Sequence, residues 1–208
     1  IDINNIFLFN IHGGAWEFGY PEWMLFTYEY FKNYNLNLVV PGYRLAPKSK
    51  FKEQIEDINK SINFIKKQYS QNINIILAGH SAGAHLAYYA SKYHQINGLI
   101  LSSGVYDLTQ YTKKYVDQIT NKRFSSKSIS PIFDDEKIKI PILLTYTDLE
   151  EQIYIDQSKN FYSKIKDNNN NNMTHVFKGI DHYHEPNAMN KNNKSWDKTF
   201  SDWLQSLA

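Results

Sequence analysis

The feature that most constrains the fold of this 208-residue chain is a series of short, almost uninterrupted apolar runs. They occupy residues 6–11, 37–40, 73–77, 98–101, 140–146 and 174–177. Helical segments separate them; in residues 51–69, apolar side chains recur at spacings of four, three, four and three. Strands that are apolar throughout are typical of a parallel sheet covered on both faces. The pattern predicts an α/β fold: a doubly wound, mostly parallel sheet with helices on both faces.

The length of the chain fits a single domain, residues 1–208, with a core large enough to need no covalent staple. Cysteine is absent, which excludes a disulfide framework, a thiolate zinc site and a cysteine nucleophile. Residues 104–137 are irregular and rich in Tyr and Phe. We expect this insertion to cover a pocket.

The charge balance gives no reason to expect a polyanionic partner. The chain has 23 basic and 21 acidic side chains and a net charge of +2, so we expect no nucleic acid ligand. No apolar run approaches the roughly 20 residues that a membrane helix requires, so we expect no membrane span. We therefore expect an ordinary cytoplasmic enzyme.

The pentapeptide 79–83, Gly-His-Ser-Ala-Gly, lies between a predicted strand and a predicted helix. Such a strand–turn–helix context is typical of a nucleophilic serine on a strained turn, where glycines let strand and helix approach closely. The amino end of the helix would favour negative charge developing above Ser81. The alternative interpretation is a simple turn between a strand and a helix.

Residues 12–16, His-Gly-Gly-Ala-Trp, follow the first predicted strand. Consecutive glycines allow main-chain N–H groups to point at a developing oxyanion. We assign these donors to the backbones of Gly13 and Gly14, with the N–H of Ala82 as the third. We expect His12 to brace the loop, and Trp16 either to line the substrate pocket or to join the core.

A base and an acid should follow the serine in the chain, the acid first. His182 comes first after the turn that ends the last strand, and His184 is the alternative. A carboxylate after the strand 140–146 would fix the imidazole tautomer, and Asp148, Glu150 and Glu151 are all available. Residues around His182 and His184 offer too few ligands for a metal site.

Four segments carry a resemblance to a known superfamily. They are residues 12–16, residues 43–47 (Tyr-Arg-Leu-Ala-Pro), residues 79–87 (Gly-His-Ser-Ala-Gly-Ala-His-Leu-Ala) and residues 103–108 (Ser-Gly-Val-Tyr-Asp-Leu). On these segments the chain resembles an α/β-hydrolase of the kynurenine formamidase-like and hormone-sensitive-lipase-like carboxylesterase branch. The last two segments are most similar to kynurenine formamidases and to small carboxylesterases of similar build.

The resemblance implies an acid about nine residues after the proline that opens the strand, and seven before a Gln-Ser pair. Counting forward from Pro141 and back from Gln157 reaches Glu150 in both cases, where the family usually has Asp. Asp148 stays as the alternative. The family's histidine, three residues after a glycine, corresponds to His182.

Other positions depart from the family pattern. Strands that usually precede the glycine loop are missing, as is an N-terminal cap, so we expect an N-terminally truncated fragment or a minimal sheet. Ala15 stands where such lipases often have a third glycine and formamidases an aromatic residue.

The resulting hypothesis is a serine hydrolase that cleaves a carboxylic ester of a small acyl or aromatic substrate and needs no metal or cofactor. Arylformamidase activity, the hydrolysis of an N-formylkynurenine-type amide, is the alternative within this chemistry. A non-catalytic binding module of the same fold is the alternative outside it. Trp16 and Tyr106 are the predicted substrate-binding residues, with Tyr20 and Tyr111 as further candidate walls; all four could instead be packing residues.

Overall fold

The computed structural model of the protein describes residues 5–69, 73–136 and 138–207. Its centre is a six-stranded sheet whose neighbouring strands pair in parallel. The strands are β1 (Ile6–Ile11), β2 (Asn37–Val39), β3 (Asn74–His80), β4 (Gly98–Ser102), β5 (Ile142–Thr147) and β6 (Met173–Phe177). Their order is β2-β1-β3-β4-β5-β6, so the winding direction reverses beside β1. In such sheets ligands bind outside the carboxyl ends of the strands at this reversal.

The helices connect the strands and cover the sheet. They are α1 (Tyr28–Phe31), α2 (Phe51–Gln68), α3 (Ala82–Ala90), α4 (Lys113–Thr120), α5 (Gln152–Ile165), α6 (Glu185–Ala188) and α7 (Lys194–Gln205). Short 3₁₀ helices occupy Pro21–Thr27, Lys32–Tyr34, Ser91–Tyr93, Leu108–Gln110, Lys127–Ile129 and Pro131–Phe133. Among the described helices, none combines the length and apolarity needed to cross a membrane.

Alternate side chains of each strand enter two separate hydrophobic clusters. Phe7 and Phe9 of β1 pack in the cluster that contains the buried faces of α2, α3 and α5. Ile6 and Leu8 pack in the other, together with α1 and α7. Because successive strand residues point to opposite faces, the two clusters lie on the two sides of the sheet. The predicted doubly wound α/β fold is therefore confirmed.

Two predicted segments differ from the structure. The helix expected from Pro21 to Tyr34 is broken into a 3₁₀ helix, α1 and a second 3₁₀ helix. The hydroxyl of Thr27 donates to the carbonyl oxygen of Met24 at 2.6 Å, a local side-chain contact that competes with the regular α-helical hydrogen bonds. The segment 104–137, expected to be irregular, contains the amphipathic helix α4, which begins at an N-cap formed by Thr112.

Candidate functional site

A cavity of about 770 Å³ lies at the carboxyl ends of the strands. Its walls come from three parts of the chain: the loop and short helix after β1, the turn between β3 and α3, and the segments that follow β5 and β6. Predicted site residues among those that line it are Gly13, Gly14, Ser81, Glu150 and His182. The fold thus brings together residues from the two ends of the sequence, from Gly13 to His182.

Ser81 occupies the strained turn that the sequence predicts. Its φ is 56° and its ψ is −122°, a conformation that L-residues rarely adopt, and it directly precedes helix α3. Gly83 lets the start of α3 lie against the end of β1, because a Cβ atom there would lie 2.2 Å from the carbonyl oxygen of Ile11 and 2.5 Å from that of His12. The hydroxyl of Ser81 forms no hydrogen bond with the His182 ring in the part of the chain that the structure describes.

The glycine loop after β1 passes directly over this serine. A Cβ atom on Gly13 would lie 3.1 Å from Cβ of Ser81 and 2.9 Å from the carbonyl oxygen of His80, so only glycine permits the approach. The next three residues, 14–16, all have positive φ angles, of 110°, 53° and 64°. His12 braces the loop as predicted: its Nδ1 lies 2.7 Å from the carbonyl oxygen of Gly13.

Three main-chain amides beside the serine have no acceptor. Among the described residues, the N–H groups of Gly13, Gly14 and Ala82 donate to no backbone or side-chain atom. Ala82 is the first residue of α3, where helix geometry leaves the N–H groups without an intrahelical partner. These N–H groups can therefore donate to a ligand oxygen without breaking an existing hydrogen bond.

Glu150 and His182 form a buried pair. His182 Nδ1 lies 2.7 Å from Glu150 Oε2, and the Glu150 side chain is completely shielded from solvent. Glu150 Oε1 accepts the main-chain N–H of Thr147 at 3.1 Å, which fixes the carboxylate. Because a carboxylate only accepts hydrogen bonds, the imidazole must donate from Nδ1, so Nε2 is the nitrogen left to act as a base.

The alternative acid and base lie in other contacts. Asp148 accepts the main-chain N–H of Gly179 at 2.7 Å and stands 3.7 Å from Lys178, so it stabilises the turn after β6. His184 is exposed and pairs with Asp181 at 2.7 Å. Neither Asp148 nor His184 lines the cavity.

A buried polar group beneath the cavity was missed by the sequence reasoning. Glu185 is fully buried, its Oε1 accepts from Thr145, and its Oε2 lies 3.9 Å from His80 Nε2. Burial raises the pKa of Glu185 to about 8, so this carboxyl group is protonated near neutral pH. His80 in turn donates from Nε2 to the main-chain carbonyl of His182 at 2.8 Å.

Burial lowers the pKa of His80 to about 3, which keeps its ring neutral. A further contact unforeseen from the sequence orients His182: the ring of Tyr154, on α5, stacks on the imidazole with centroids 4.5 Å apart. A tyrosine in the first turn of a helix carries no sequence signal for this role. His182 is thus held by the hydrogen bond from His80 to its main chain and by the ring of Tyr154, in addition to its contact with Glu150.

The expectation that Trp16 and Tyr106 bind substrate is wrong. Trp16 is 1% exposed and packs edge-on against His85 in the core. Tyr106 is fully buried and stacks on Phe161 with centroids 4.4 Å apart. Neither residue lines the cavity, and the further candidate walls Tyr20 and Tyr111 do not line it either.

Residues 104–137 also do not cover the cavity, contrary to expectation. No described residue of this segment lines it. The segment instead packs its apolar residues into the core and supports the glycine loop from outside, since the hydroxyl of Tyr115 donates to the carbonyl of Ala15 at 3.1 Å. Gln118 also donates to Glu17 in that loop. The exposed aromatic residues that line the cavity are instead Phe18, Trp23, Phe26 and Tyr183.

Curated proteins that are similar to this chain include kynurenine formamidases. Kynurenine formamidase from Salmo salar is 34% identical over 116 residues, which cover 52% of this chain and 40% of that protein. Kynurenine formamidase from Meyerozyma guilliermondii is 27% identical over 183 residues, which cover 75% of this chain and 70% of that protein. The chain thus spans about two fifths of the length of its Salmo salar relative.

Solved structures share the fold at low sequence identity. A hormone-sensitive lipase from a metagenome library has a TM-score of 0.76 and 18% identity, covering 98% of this chain and 79% of its own. An esterase from Pyrobaculum calidifontis has a TM-score of 0.73 and 18% identity, covering 97% and 77%. A family model described as an alpha/beta hydrolase fold matches residues 8–185, most of the chain. The chain therefore belongs to the α/β-hydrolase family, and within it is similar to kynurenine formamidases and hormone-sensitive-lipase-like esterases.

Proposed function

We propose that this protein is a serine hydrolase that cleaves a carboxylic ester of a small acyl or aromatic substrate. Ser81 is the nucleophile, His182 the general base and Glu150 the acid that orients it. The observation that carries the proposal is the 2.7 Å contact between His182 Nδ1 and buried Glu150, in the same cavity as a serine on a strained turn. A purely structural histidine would not need a shielded carboxylate beside a strained serine.

In the first half of the reaction, Ser81 Oγ attacks the acyl carbon while Nε2 of His182 takes the hydroxyl proton. The carbonyl π bond opens and places a negative charge on the oxygen. When the tetrahedral intermediate collapses, the bond to the leaving group breaks and His182 returns its proton to that group. The product alcohol leaves, and the acyl group remains bonded to Ser81.

In the second half, a water molecule attacks the acyl-enzyme and gives its proton to His182. Collapse of the second intermediate breaks the bond to Ser81 Oγ, which takes the proton back, and the carboxylic acid is released. Glu150 keeps its charge throughout and stabilises the imidazolium that forms twice. The reaction balances without an oxidant, a reductant or any other co-reactant.

The free amides of Gly13, Gly14 and Ala82 also support the proposal. Each is a donor fixed before substrate arrives, so no protein reorganisation is needed when the oxyanion forms. One such donor is typically worth about 3 kcal/mol of transition-state stabilisation. The contacts of Tyr115 and Gln118 with the glycine loop help to hold these donors.

Arylformamidase activity is the second candidate, and one observation favours it: the curated relatives named above are kynurenine formamidases. The same serine, base and oxyanion donors can hydrolyse a formamide, with an arylamine as the leaving group. The arylamine takes its proton from His182, just as the alcohol does in ester hydrolysis.

Turnover of p-nitrophenyl acetate and of N-formylkynurenine by the purified chain tests the proposal. Ser81→Ala should abolish both activities, whereas Ser163→Ala, an exposed serine on α5, should leave them unchanged. The ratio of the two wild-type activities distinguishes esterase from formamidase. Turnover that survives in Ser81→Ala would refute the serine mechanism.

A fluorophosphonate probe gives a second readout that does not depend on the choice of substrate. Such a probe should modify Ser81 in the wild type and nothing in Ser81→Ala, as read by intact mass. Folded protein that is inactive on both substrates and unlabelled at Ser81 would favour the non-catalytic binding module instead.

A further inference from the structure

The chain segments that build the cavity walls have a strong charge asymmetry. Residues 12–31, 147–157 and 179–190 together contain nine Asp or Glu and neither Lys nor Arg. The whole chain nevertheless carries a net charge of +2. The basic residues are therefore concentrated elsewhere, and the region around the cavity is negatively charged.

Two carboxylates line the cavity, and neither is paired with a lysine or arginine among the described residues. Glu151 is exposed at the start of α5, and the side chain of Asp181, beside His182, is half exposed. Asp181 accepts hydrogen bonds from the His184 ring and from two main-chain N–H groups, which hold its pKa below the usual range and keep it ionised. Among the described residues that line the cavity there is no lysine or arginine.

Neighbouring charged groups do not cancel the negative charge of the cavity wall. Glu150 is paired with His182 inside the wall, and burial keeps Glu185 neutral near pH 7 by raising its pKa to about 8. Of the lysines that border the three segments, Lys32 contacts Glu29 at 2.6 Å and Lys178 lies 3.7 Å from Asp148; Lys191 forms no ion pair among the described residues, and none of the three lines the cavity. Glu151 and Asp181 therefore determine the charge that a bound substrate meets.

Exposed aromatic rings complete the mouth of the cavity. Phe18 is 64% and Tyr183 is 84% exposed, and Trp23 and Phe26 are each nearly half exposed. Aromatic faces bind the positive charge of quaternary ammonium groups, and carboxylates add to this attraction. The same surroundings repel a carboxylate, which finds no cationic partner there.

We infer that the cavity selects esters that carry a positive or neutral aryl group and discriminates against esters that carry a carboxylate. This inference rests on the proposed function and specifies its substrate class. N-formylkynurenine is a zwitterion at neutral pH, so Glu151 and Asp181 would attract its α-ammonium group and repel its α-carboxylate. The inference therefore does not distinguish ester hydrolysis from formamide hydrolysis.

Three phenyl acetates that differ only in charge test the inference. The ring bears a trimethylammoniomethyl, an ethyl or a carboxymethyl group at the meta position, so a methylene group insulates the leaving oxygen from the charge. At low ionic strength we expect kcat/KM for the cationic ester to exceed that for the anionic ester by about tenfold or more, and salt to reduce the ratio.

Glu151→Gln and Asp181→Asn should each lower this ratio several-fold. Asp202→Asn is the matched control and should leave the ratio unchanged. Asp202 lies on α7, whose Trp203 packs against Gly98 at the amino end of β4, whereas the cavity lies at the carboxyl ends of the strands. Equal kcat/KM values for the cationic and anionic esters, with turnover still lost in Ser81→Ala, would overturn the charge inference and leave the proposed function intact.

Direct binding separates the two proposals if no ester is turned over. Phenyltrimethylammonium and benzoate are matched non-reactive probes, and calorimetry or tryptophan fluorescence reports their binding. Binding of the cation alone, weakened in Asp181→Asn, would uphold the charge inference although the proposed function had failed. Equal binding of both probes, or of neither, would overturn it.

Discussion

Replacing Glu150 by glutamine tests the proposed acid most directly, because the structure dictates how the amide must orient. Glu150 Oε1 now accepts the N–H of Thr147 at 3.1 Å, and Oε2 accepts from His182 at 2.7 Å. A glutamine oxygen that keeps the Thr147 contact turns its NH₂ group toward His182 Nδ1. That nitrogen must then accept, so the imidazole proton moves to Nε2, where a base is needed for Ser81.

The opposite amide orientation preserves the useful tautomer but places NH₂ against the N–H of Thr147. A buried donor left without an acceptor costs about 1–3 kcal/mol, so at most a minor fraction of Glu150→Gln has a correctly protonated His182. Loss of the buried negative charge also removes stabilisation of the imidazolium. Substitution of the orienting carboxylate in a serine triad by its amide lowers kcat by about 10⁴, and we therefore expect a decrease between about 10² and 10⁴.

The assay is kcat for p-nitrophenyl acetate with Glu150→Gln, beside Asp148→Asn as the matched control. Asp148 lies two positions away and serves the turn at Gly179, so its amide should change kcat by less than about threefold. Circular dichroism and the thermal midpoint verify that both variants fold. A decrease of less than tenfold in folded Glu150→Gln would refute the reasoning, and a large loss in Asp148→Asn would transfer the role to that residue.

Three further predictions concern the framework of the site. Gly83→Ala places Cβ 2.2 Å from the carbonyl oxygen of Ile11, and an overpacking penalty of about 1–3 kcal/mol should lower the thermal midpoint by several degrees; an unchanged midpoint would contradict that close approach. Wild-type Glu185 has a pKa of about 8 in the folded state and near 4.5 in the unfolded state. Between these pH values the folded protein holds a proton that the unfolded protein has lost, so the contribution of Glu185 to the free energy of unfolding is lost as pH rises through about 8. Glu185→Gln cannot titrate, and the difference in thermal midpoint between the two proteins should therefore change from pH 5 to pH 8; a constant difference would mean that Glu185 is ionised in the fold. Trp16→Ala should destabilise the fold by about 3–5 kcal/mol, whereas Phe18→Ala should leave stability nearly unchanged and raise KM for aryl esters, as urea unfolding and steady-state kinetics would show.

The apolar runs predicted all six strands, because a strand buried on both faces leaves a continuous signal in the sequence. The predicted positions of the strand ends were less accurate. The predicted strand 73–77 continues in the structure to His80, since Gly79 pairs with Ile11 and His80 pairs with Ser102 on neighbouring strands. Such pairing depends on residues far away in the chain, and no local pattern contains it.

The site was only partly predictable for a similar reason. Spacing alone left Asp148, Glu150 and Glu151 open, and the resemblance to a family selected among them. Which carboxylate reaches His182 depends on the path of the loop after β5, where Asp148 turns toward Gly179 instead.

Trp16 shows a different limit of sequence reasoning. It adopts a φ of 64°, a backbone conformation that bulky residues seldom take, and its indole packs in the core against His85. Composition could identify an aromatic residue next to a glycine loop, but not the side of the loop on which its ring lies.

The contact between Tyr115 and the carbonyl of Ala15 has a consequence for laboratory evolution of this scaffold. Residues 104–136 support the glycine loop without lining the cavity, so substitutions there should alter the rigidity of this loop but not the lining of the pocket. Libraries that seek a new substrate should randomise the walls at Phe18, Trp23 and Tyr183. Libraries that seek heat tolerance should randomise the supporting segment, and the two sets can be combined because they share no residue.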